Sequence, residues 1–423
     1  MKLFSISEVT KELLPNKVIF IHNLNTQQPI VSVNIFLKMG SIYEPQNLLG
    51  ISELLQTTII KGTKNRTAKQ LAEEIELLGG GISANSDSDY STLSIAVGKQ
   101  NFEKAMEILS DIFFNPIFPE DEIEKEKTNI IADILARKDK IFNVAIDELM
   151  YNLYGGKHPY GIKPEKYIPS LKRIKRAHLL EWWKKFYAID EIQNNIIVVI
   201  SGDIDYDYAK NVFSKYFQNF NSTKLPEIAN YKTSYKQKYI RKKTHFKQGY
   251  LMYGYLVPAF NKENLKDYLS LKLLNVYLGG GMSSKLFEVL REKNSLCYET
   301  NSFYPTKLLD SHFVIYLGFD YNRVQIAKKE IENIIYELSN GTCMSQKELD
   351  EAKSKIKGRF LLDHQTNLRQ GWYLGFWEIM GLGCEYDKRY IEDIEKITLD
   401  DIQTVAKKIF SQKHIVVELA PKK

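Results

Sequence analysis

One order of strand and helix signals runs through this chain twice, and that internal repeat constrains the fold more than any other feature. In the first half, residues 30–39 (IVSVNIFLKM) read as a strand from their β-branched content and partial alternation, and an apolar helix follows over 50–60. A second helix over 68–78 ends at Gly79, Gly80 and Gly81, where a helix stop is expected. A strand pair over 82–97 and a helix over 102–113 complete the series. The second half repeats it: strand 250–257, helix 265–278, a second triple glycine, another helix, strands over 298–317 and a helix over 323–339. Even the endings correspond, since an amphipathic helix over 170–187 leads to NNIIVVISG and one over 391–409 leads to KHIVVELA. The fold class expected is α+β, with two homologous halves, each a mixed β-sheet flanked by helices.

Hydrophobic periodicity fades over 219–247, where Pro226, Asn and Lys accumulate, so the chain divides into residues 1–220, a linker 221–247 and residues 248–423. Two large domains suit 423 residues, and 44% hydrophobic content supplies two cores. The net charge of +6 arises from 58 basic and 52 acidic residues that are interleaved along the chain, which argues against a dedicated nucleic-acid binder. The densest basic stretch, KTSYKQKYIRKKTHFK over 232–247, reads as a solvated linker, with phosphate binding the weaker alternative. No apolar run approaches the ~20 residues that span a bilayer. Cys297, Cys343 and Cys384 are odd in number and show no CxxC spacing, as in a reducing compartment. Glu8, Lys11 and Glu12 interrupt what would be a signal-peptide core. A cytoplasmic location is expected, with a periplasmic one open if an upstream start was trimmed.

The segment GISELLQTTIIKGTKNRTAKQLAEEIELLGGGISANSDSD, residues 50–89, resembles the signature region of the insulinase, pitrilysin and processing-peptidase family. Active members carry HxxEH on a helix, two histidines binding zinc and the glutamate activating water. Positions i, i+3 and i+4 share one helix face, so the three groups converge on one ion. Here Glu53, Gln56 and Thr57 stand at those positions, while Gly50, Lys61, Gly62 and Thr63 keep the flanks. The resemblance places the third ligand, a glutamate in relatives, at Asp133 in EKTNIIADI. These four oxygen and amide donors suit a hard cation better than zinc, and such a cage usually needs six or more oxygens. A polar cleft wall without a metal is the preferred reading.

Nothing else in the chain replaces the motif. The histidines at 22, 158, 178, 245, 312, 364 and 414 form no i, i+3 or i+4 pair. His158, in GGKHPYG, sits in a loop that resembles a structural one of the family. There is no G-x-S-x-G elbow, Cys297 has no histidine near it in sequence, and neither triple glycine ends in G-K-[ST].

In the second half, LGGGMSSKLFEVLREKNSLCYETNSFY resembles the family stretch GGGxSSRLFxxLREKxGLxY, whose Arg and Tyr correspond to Arg291 and Tyr298. The resemblance implies that this pair faces the zinc site from the opposite half of a clamshell. A guanidinium can hold the carbonyls of an extended peptide, and a phenol can donate to a scissile carbonyl as charge develops on it. The alternative is structural: Arg291 pairing with Glu288 or Glu292, and Tyr298 serving as a strand aromatic. Residues 81–92 resemble the family's cleft-edge strand, where Ala84, Asn85 and Ser86 would hold peptide by strand addition; a solvated edge that resists aggregation is equally consistent. Gly279, Gly280 and Gly281 correspond to a loop that binds substrate in the mitochondrial non-catalytic subunit, where it is longer.

The resemblance therefore implies a clamshell half of the metallopeptidase (LuxS and processing-peptidase) type. The chain is expected to be a catalytically inactive subunit of a heterodimeric zinc metallopeptidase, holding peptide and completing the active site of a homologous HxxEH-bearing partner. No cofactor is expected in this chain, the zinc belonging to the partner. A purely structural subunit, like the family's core proteins in the respiratory bc1 complex, is the alternative, and a peptidase with unorthodox ligands the third.

Overall fold

A computed structural model describes residues 8–422 apart from 232, 234 and 343, so Cys343, two linker residues and the beginning of the supposed non-signal stretch lie outside the described residues. The first sheet is built from strands whose buried faces carry β-branched and aromatic side chains. In chain order the elements are β1 (Glu8–Leu13), β2 (Ile19–Leu24), β3 (Ile30–Leu37), α1 (Ile51–Ile59), α2 (Ala68–Leu77), β4 (Gly81–Ser86), β5 (Ser91–Gly98), α3 (Phe102–Phe114), α4 (Glu120–Ala136), α5 (Ile141–Tyr154), α6 (Tyr167–Arg173), α7 (Arg176–Phe186), β6 (Ile196–Gly202) and α8 (Tyr206–Tyr216). The sheet order is β1-β2-β6-β3-β5-β4, with only β2 and β6 parallel.

The second sheet follows the same plan. Its chain order is β7 (Lys238–Thr244), β8 (Gly249–Val257), α9 (Leu265–Gly279), a π-helical turn (Phe287–Lys293), β9 (Cys297–Phe303), β10 (Ser311–Phe319), α10 (Val324–Asn340), α11 (Gln346–Asp363), α12 (Asn367–Ile379), α13 (Tyr386–Lys396), α14 (Leu399–Phe410) and β11 (Ile415–Pro421). The sheet order is β7-β11-β8-β10-β9, again with one parallel pair, β7 and β11. Strand for strand this matches β2-β6-β3-β5-β4. The α+β class with two mixed sheets flanked by helices is therefore what the chain adopts.

Three details differ from the sequence reading. The stretch read as a linker ends in β7, whose residues, KYIRKKT, are mostly exposed because the strand lies at a sheet edge and only Ile240 and Thr244 turn inward. Each long amphipathic helix is two: α6 stops before Lys175, and a capping box at Thr398 starts α14 afresh after α13. The compact units also do not follow the halves. One comprises the chain up to Ile134, Glu165–Asn230 and Asp363–Lys388; the other comprises Leu135–Pro164, Tyr231–Leu362 and Arg389–Lys423.

The reason is a reciprocal use of two equivalent helices. Helix α5, from the first half, packs on β8 and β11, burying Ala145, Leu149 and Leu153 against Met252, Val417 and Leu419. Helix α12, from the second half, packs on β3 and β6. Its approach is close enough that a Cβ on Gly375 would stand 2.1 Å from the Phe36 ring, so only glycine fits there. The other face of the first sheet carries the core formed with α1, α3, α7 and α8, including Val33, Ile35, Leu55, Leu109, Phe186 and Phe213.

Candidate functional site

Helix α1 is held by its N-terminus. The buried Glu44 carboxylate accepts from the Gly50 N–H at 2.7 Å and the Ser52 N–H at 2.9 Å, satisfying two of the donors that a helix start leaves open. Burial raises the Glu44 pKa, with these hydrogen bonds pulling the other way. Gly50 takes φ 87, a left-handed conformation that admits the turn into α1. The Trp182 indole donates to the Ser52 hydroxyl at 3.2 Å and pins the first turn to α7.

On this fixed helix the three motif positions point to different fates. Glu53 is exposed, yet enough protein surrounds it that lost hydration, and then the Asp133 charge, raise its pKa. Asp133, on α4, is also exposed. The structure thus brings these two carboxylates into electrostatic reach of one another. Gln56 turns inward: it is 1% exposed, and its Oε1 accepts from the Tyr187 hydroxyl at 3.2 Å. Thr57 is half-buried and donates to the Leu54 carbonyl of its own helix at 3.2 Å. No imidazole stands at any of the four positions. Two carboxylates, with the Thr57 hydroxyl and the Gln56 Oε1 already engaged and the buried Gln56 Nε2 without a hydrogen-bond partner among the described residues, do not match the three ligands plus water of a catalytic zinc site.

Among the described residues, the one group of three metal-type ligands within 4.8 Å of one another is Glu378, Cys384 and Glu385. There the Lys11 ammonium lies 2.7 Å from Glu378 and supplies the positive charge.

The turn after α1 is built around Arg66, which pairs with Glu74 at 3.0 Å, Glu107 at 2.5 Å and the buried Asp111 at 2.8 Å. Thr63 and Asn65 donate to the same aspartate, each at 2.6 Å. Lys61 pairs with Glu126 of α4 at 3.1 Å, joining the motif helix to the helix that carries Asp133. Sequence reading took Lys61 and Thr63 as flanks only and missed Glu44, Arg66 and Tyr187. The run of polar residues between two helices was a signal for a capped, ion-paired turn.

Strand β4 is the edge of its sheet, paired with β5 alone. Alternation sends Ala84 toward the α1 side, while Ser83 and Asn85 line a pocket of about 380 Å³ with Asn34, Tyr90, Arg369 and Trp372. The Ser86 hydroxyl accepts from Ser91 at 3.0 Å.

In the second unit, Arg291 lies in the π-helical turn, a local widening often found at functional positions. Its guanidinium is exposed over the Phe287 ring at 4.9 Å. The anticipated partner Glu288 instead pairs with Lys293 at 2.5 Å, and among the described residues no carboxylate pairs with Arg291. Tyr298, on β9, is 64% exposed and its hydroxyl meets no partner among the described residues. Beside them, burial pushes the Cys297 thiol up to about 11, with the Arg291 charge opposing, so it is no nucleophile at neutral pH. The glycine run is shaped by packing: a Cβ on Gly279 would stand 2.3 Å from the Ser302 nitrogen, and Gly281 takes φ 119. The Gly280 carbonyl accepts from Arg359 at 3.0 Å.

Two family models match the chain: insulinase, peptidase family M16, over residues 18–161, and the peptidase M16 inactive domain over residues 173–356. Among similar proteins, an uncharacterized zinc protease of Rickettsia felis is 29% identical over 392 residues, covering 90% of each chain. The non-peptidase homolog YmxG of Helicobacter pylori is 24% identical over 407 residues, 94% of this chain and 90% of that one. A solved peptidase M16 inactive domain from Pseudomonas fluorescens superposes with a TM-score of 0.87 at 21% identity over 98% of both chains, a likeness of fold.

Proposed function

This chain belongs to the insulinase family, peptidase family M16, and from that premise we propose that it is a non-catalytic, peptide-holding subunit that completes the active site of a homologous HxxEH-bearing partner. One observation carries the reading: Arg291 and Tyr298 stand exposed with no carboxylate or hydrogen-bond partner among the described residues, whereas Glu53, Gln56, Thr57 and Asp133 offer no imidazole. Both groups are open to solvent, and a guanidinium and a phenol are donors that an extended peptide can use.

In this reading the chain binds no zinc of its own; the HxxEH residues of the partner would hold the ion, which would supply Lewis-acid activation of water. Arg291 holds peptide carbonyls with its fork of N–H donors. Tyr298 donates its hydroxyl hydrogen to the scissile oxygen as charge develops there, an interaction stronger in the transition state than in the ground state. The β4 edge, with Ala84, Asn85 and Ser86, adds a peptide as a strand. The substrates are peptides or short unfolded segments. Titrating a labelled peptide onto the partner with and without this chain tests the reading. Tighter binding with the chain, lost on Arg291→Ala, supports it; equal binding in both arms contradicts it.

A further inference from the structure

The second unit repeats the first with two elements missing among its described residues. Nothing pairs with the outer edge of β7 as β1 pairs with β2, and no helix lies on β7 as α8 lies on β2. Sheet register fixes the correspondence. Val198 of β6 pairs with Phe20 of β2 and Ile35 of β3, and Val416 of β11 pairs with Tyr239 of β7 and Tyr253 of β8. Phe20 is fully buried because α8 covers it, with Phe213 at 5.5 Å and Tyr206 at 6.1 Å between ring centres. Helix α8 rests in turn on α3, through Phe102 and Tyr208 at 6.1 Å and the Lys215–Glu103 pair at 2.7 Å.

Tyr239, the counterpart of Phe20, is 47% exposed. Between it and α10, the counterpart of α3, lies a hollow of about 430 Å³ lined by Tyr239, Tyr253, Glu332, Ile335, His414 and Val416. This is the place a helix fills in the first unit. Its rim is basic. Arg241 at 2.9 Å and Lys328 at 2.6 Å pair with the buried Glu418, which also accepts from the Tyr239 and Tyr321 hydroxyls, and Lys328 lies 4.5 Å over the Tyr239 ring. With the exposed Lys238 and Lys243, four cations stand against two carboxylates, Glu418 and the lining Glu332. The β7 edge itself has four basic residues among its seven, a pattern that discourages strand pairing and leaves the sheet face as the usable surface.

We propose that this hollow docks an amphipathic helix of a partner protein, with an aromatic side chain entered between Tyr239 and Ile335 and acidic residues facing Arg241 and Lys328. The chain's own α8 shows the face required: Ala209, Val212 and Phe213 are its buried residues. Such helix-in-groove recognition takes its affinity from a few apolar anchors and its orientation from the charged rim. Neither Arg291 nor Tyr298 lines the hollow, so this site stands independently of the role given to that pair.

The probe is a fluorescein-labelled peptide with the sequence of residues 204–220 carrying Lys210→Glu and Lys215→Glu, titrated onto the full chain and followed by anisotropy. Saturable binding is expected, weakened about tenfold or more by Tyr239→Ala and by Arg241→Gln, both at exposed positions, and weaker for the peptide that keeps its lysines. The absence of saturable binding overturns the proposal. So does binding that both variants leave unchanged while their melting midpoints match the parent. NMR shifts showing the bound peptide as a strand overturn the helical occupant. A dimer of the chain alone that Tyr239→Ala dissolves assigns the hollow to a second copy and overturns the partner.

Discussion

At the scale of single residues, the two halves of the proposed site make separable contributions. Tyr298→Phe removes one hydroxyl from an exposed position and should leave the melting midpoint unchanged. In the presence of the HxxEH partner it should lower kcat about 10²-fold, the usual cost of losing one donor to a developing oxyanion. Arg291→Ala should instead raise KM about tenfold with a smaller effect on kcat, since carbonyl holding serves substrate and transition state alike. Steady-state kinetics on a quenched peptide distinguishes the two. These positions are singled out in the sequence because a family segment frames them on both sides. That Glu288 pairs with Lys293 and frees Arg291 was not legible there, because the pairing depends on the π-helical turn, which shifts side chains off helical spacing. The inward turn of Gln56 onto Tyr187 was likewise hidden, since its partner is distant in sequence.

At the scale of elements, Arg66 is the clamp that joins the turn after α1 to α2 and α3. Arg66→Ala leaves Asp111, 5% exposed, without its cation and should cost about 2–4 kcal/mol, read by denaturant unfolding. Arg66→Lys should recover only part, since an ammonium cannot replace the three-way fork. A second element-scale prediction concerns α5 and the loop after it. His158 packs among the Tyr154, Tyr160 and Tyr231 rings, and Tyr154 hydroxyl and His312 Nδ1 are hydrogen-bonded at 2.8 Å. Burial, opposed by Asp310, lowers His158 to about 4, and burial reinforced by Lys307 lowers His312 to about 3. Both folded values lie below the ordinary 6.5, so the unfolded chain takes up these protons first. The stability from keeping the rings neutral is whole above about pH 6.5 and is lost as pH falls toward 4 and then 3, at about 1.4 kcal/mol per pH unit per histidine. Unfolding midpoints measured from pH 7 to 4.5 should fall accordingly, and less steeply for His158→Phe. Most helices and strands were readable from periodicity. β7 was not, because an edge strand with four basic residues carries no apolar alternation.

At the scale of the whole molecule, the repeat was readable and the composition of the compact units was not. Periodicity reports which face of α5 or α12 is apolar, but no local signal says which sheet receives it. Only the close approach at Gly375 and the apolar cluster under α5 reveal that each half lends a helix to the other's sheet. Among the described residues no helix is long and apolar enough to cross a membrane. Membership of the M16 family rests on both halves, while the proposed division of labour rests on which side chains are kept and which replaced. The most direct test is the hydrolysis rate of a quenched peptide by the HxxEH partner alone, by this chain alone, and by the mixture. A mixture much faster than the partner, with no activity from this chain, is expected; a mixture no faster than the partner alone would overturn the completion role.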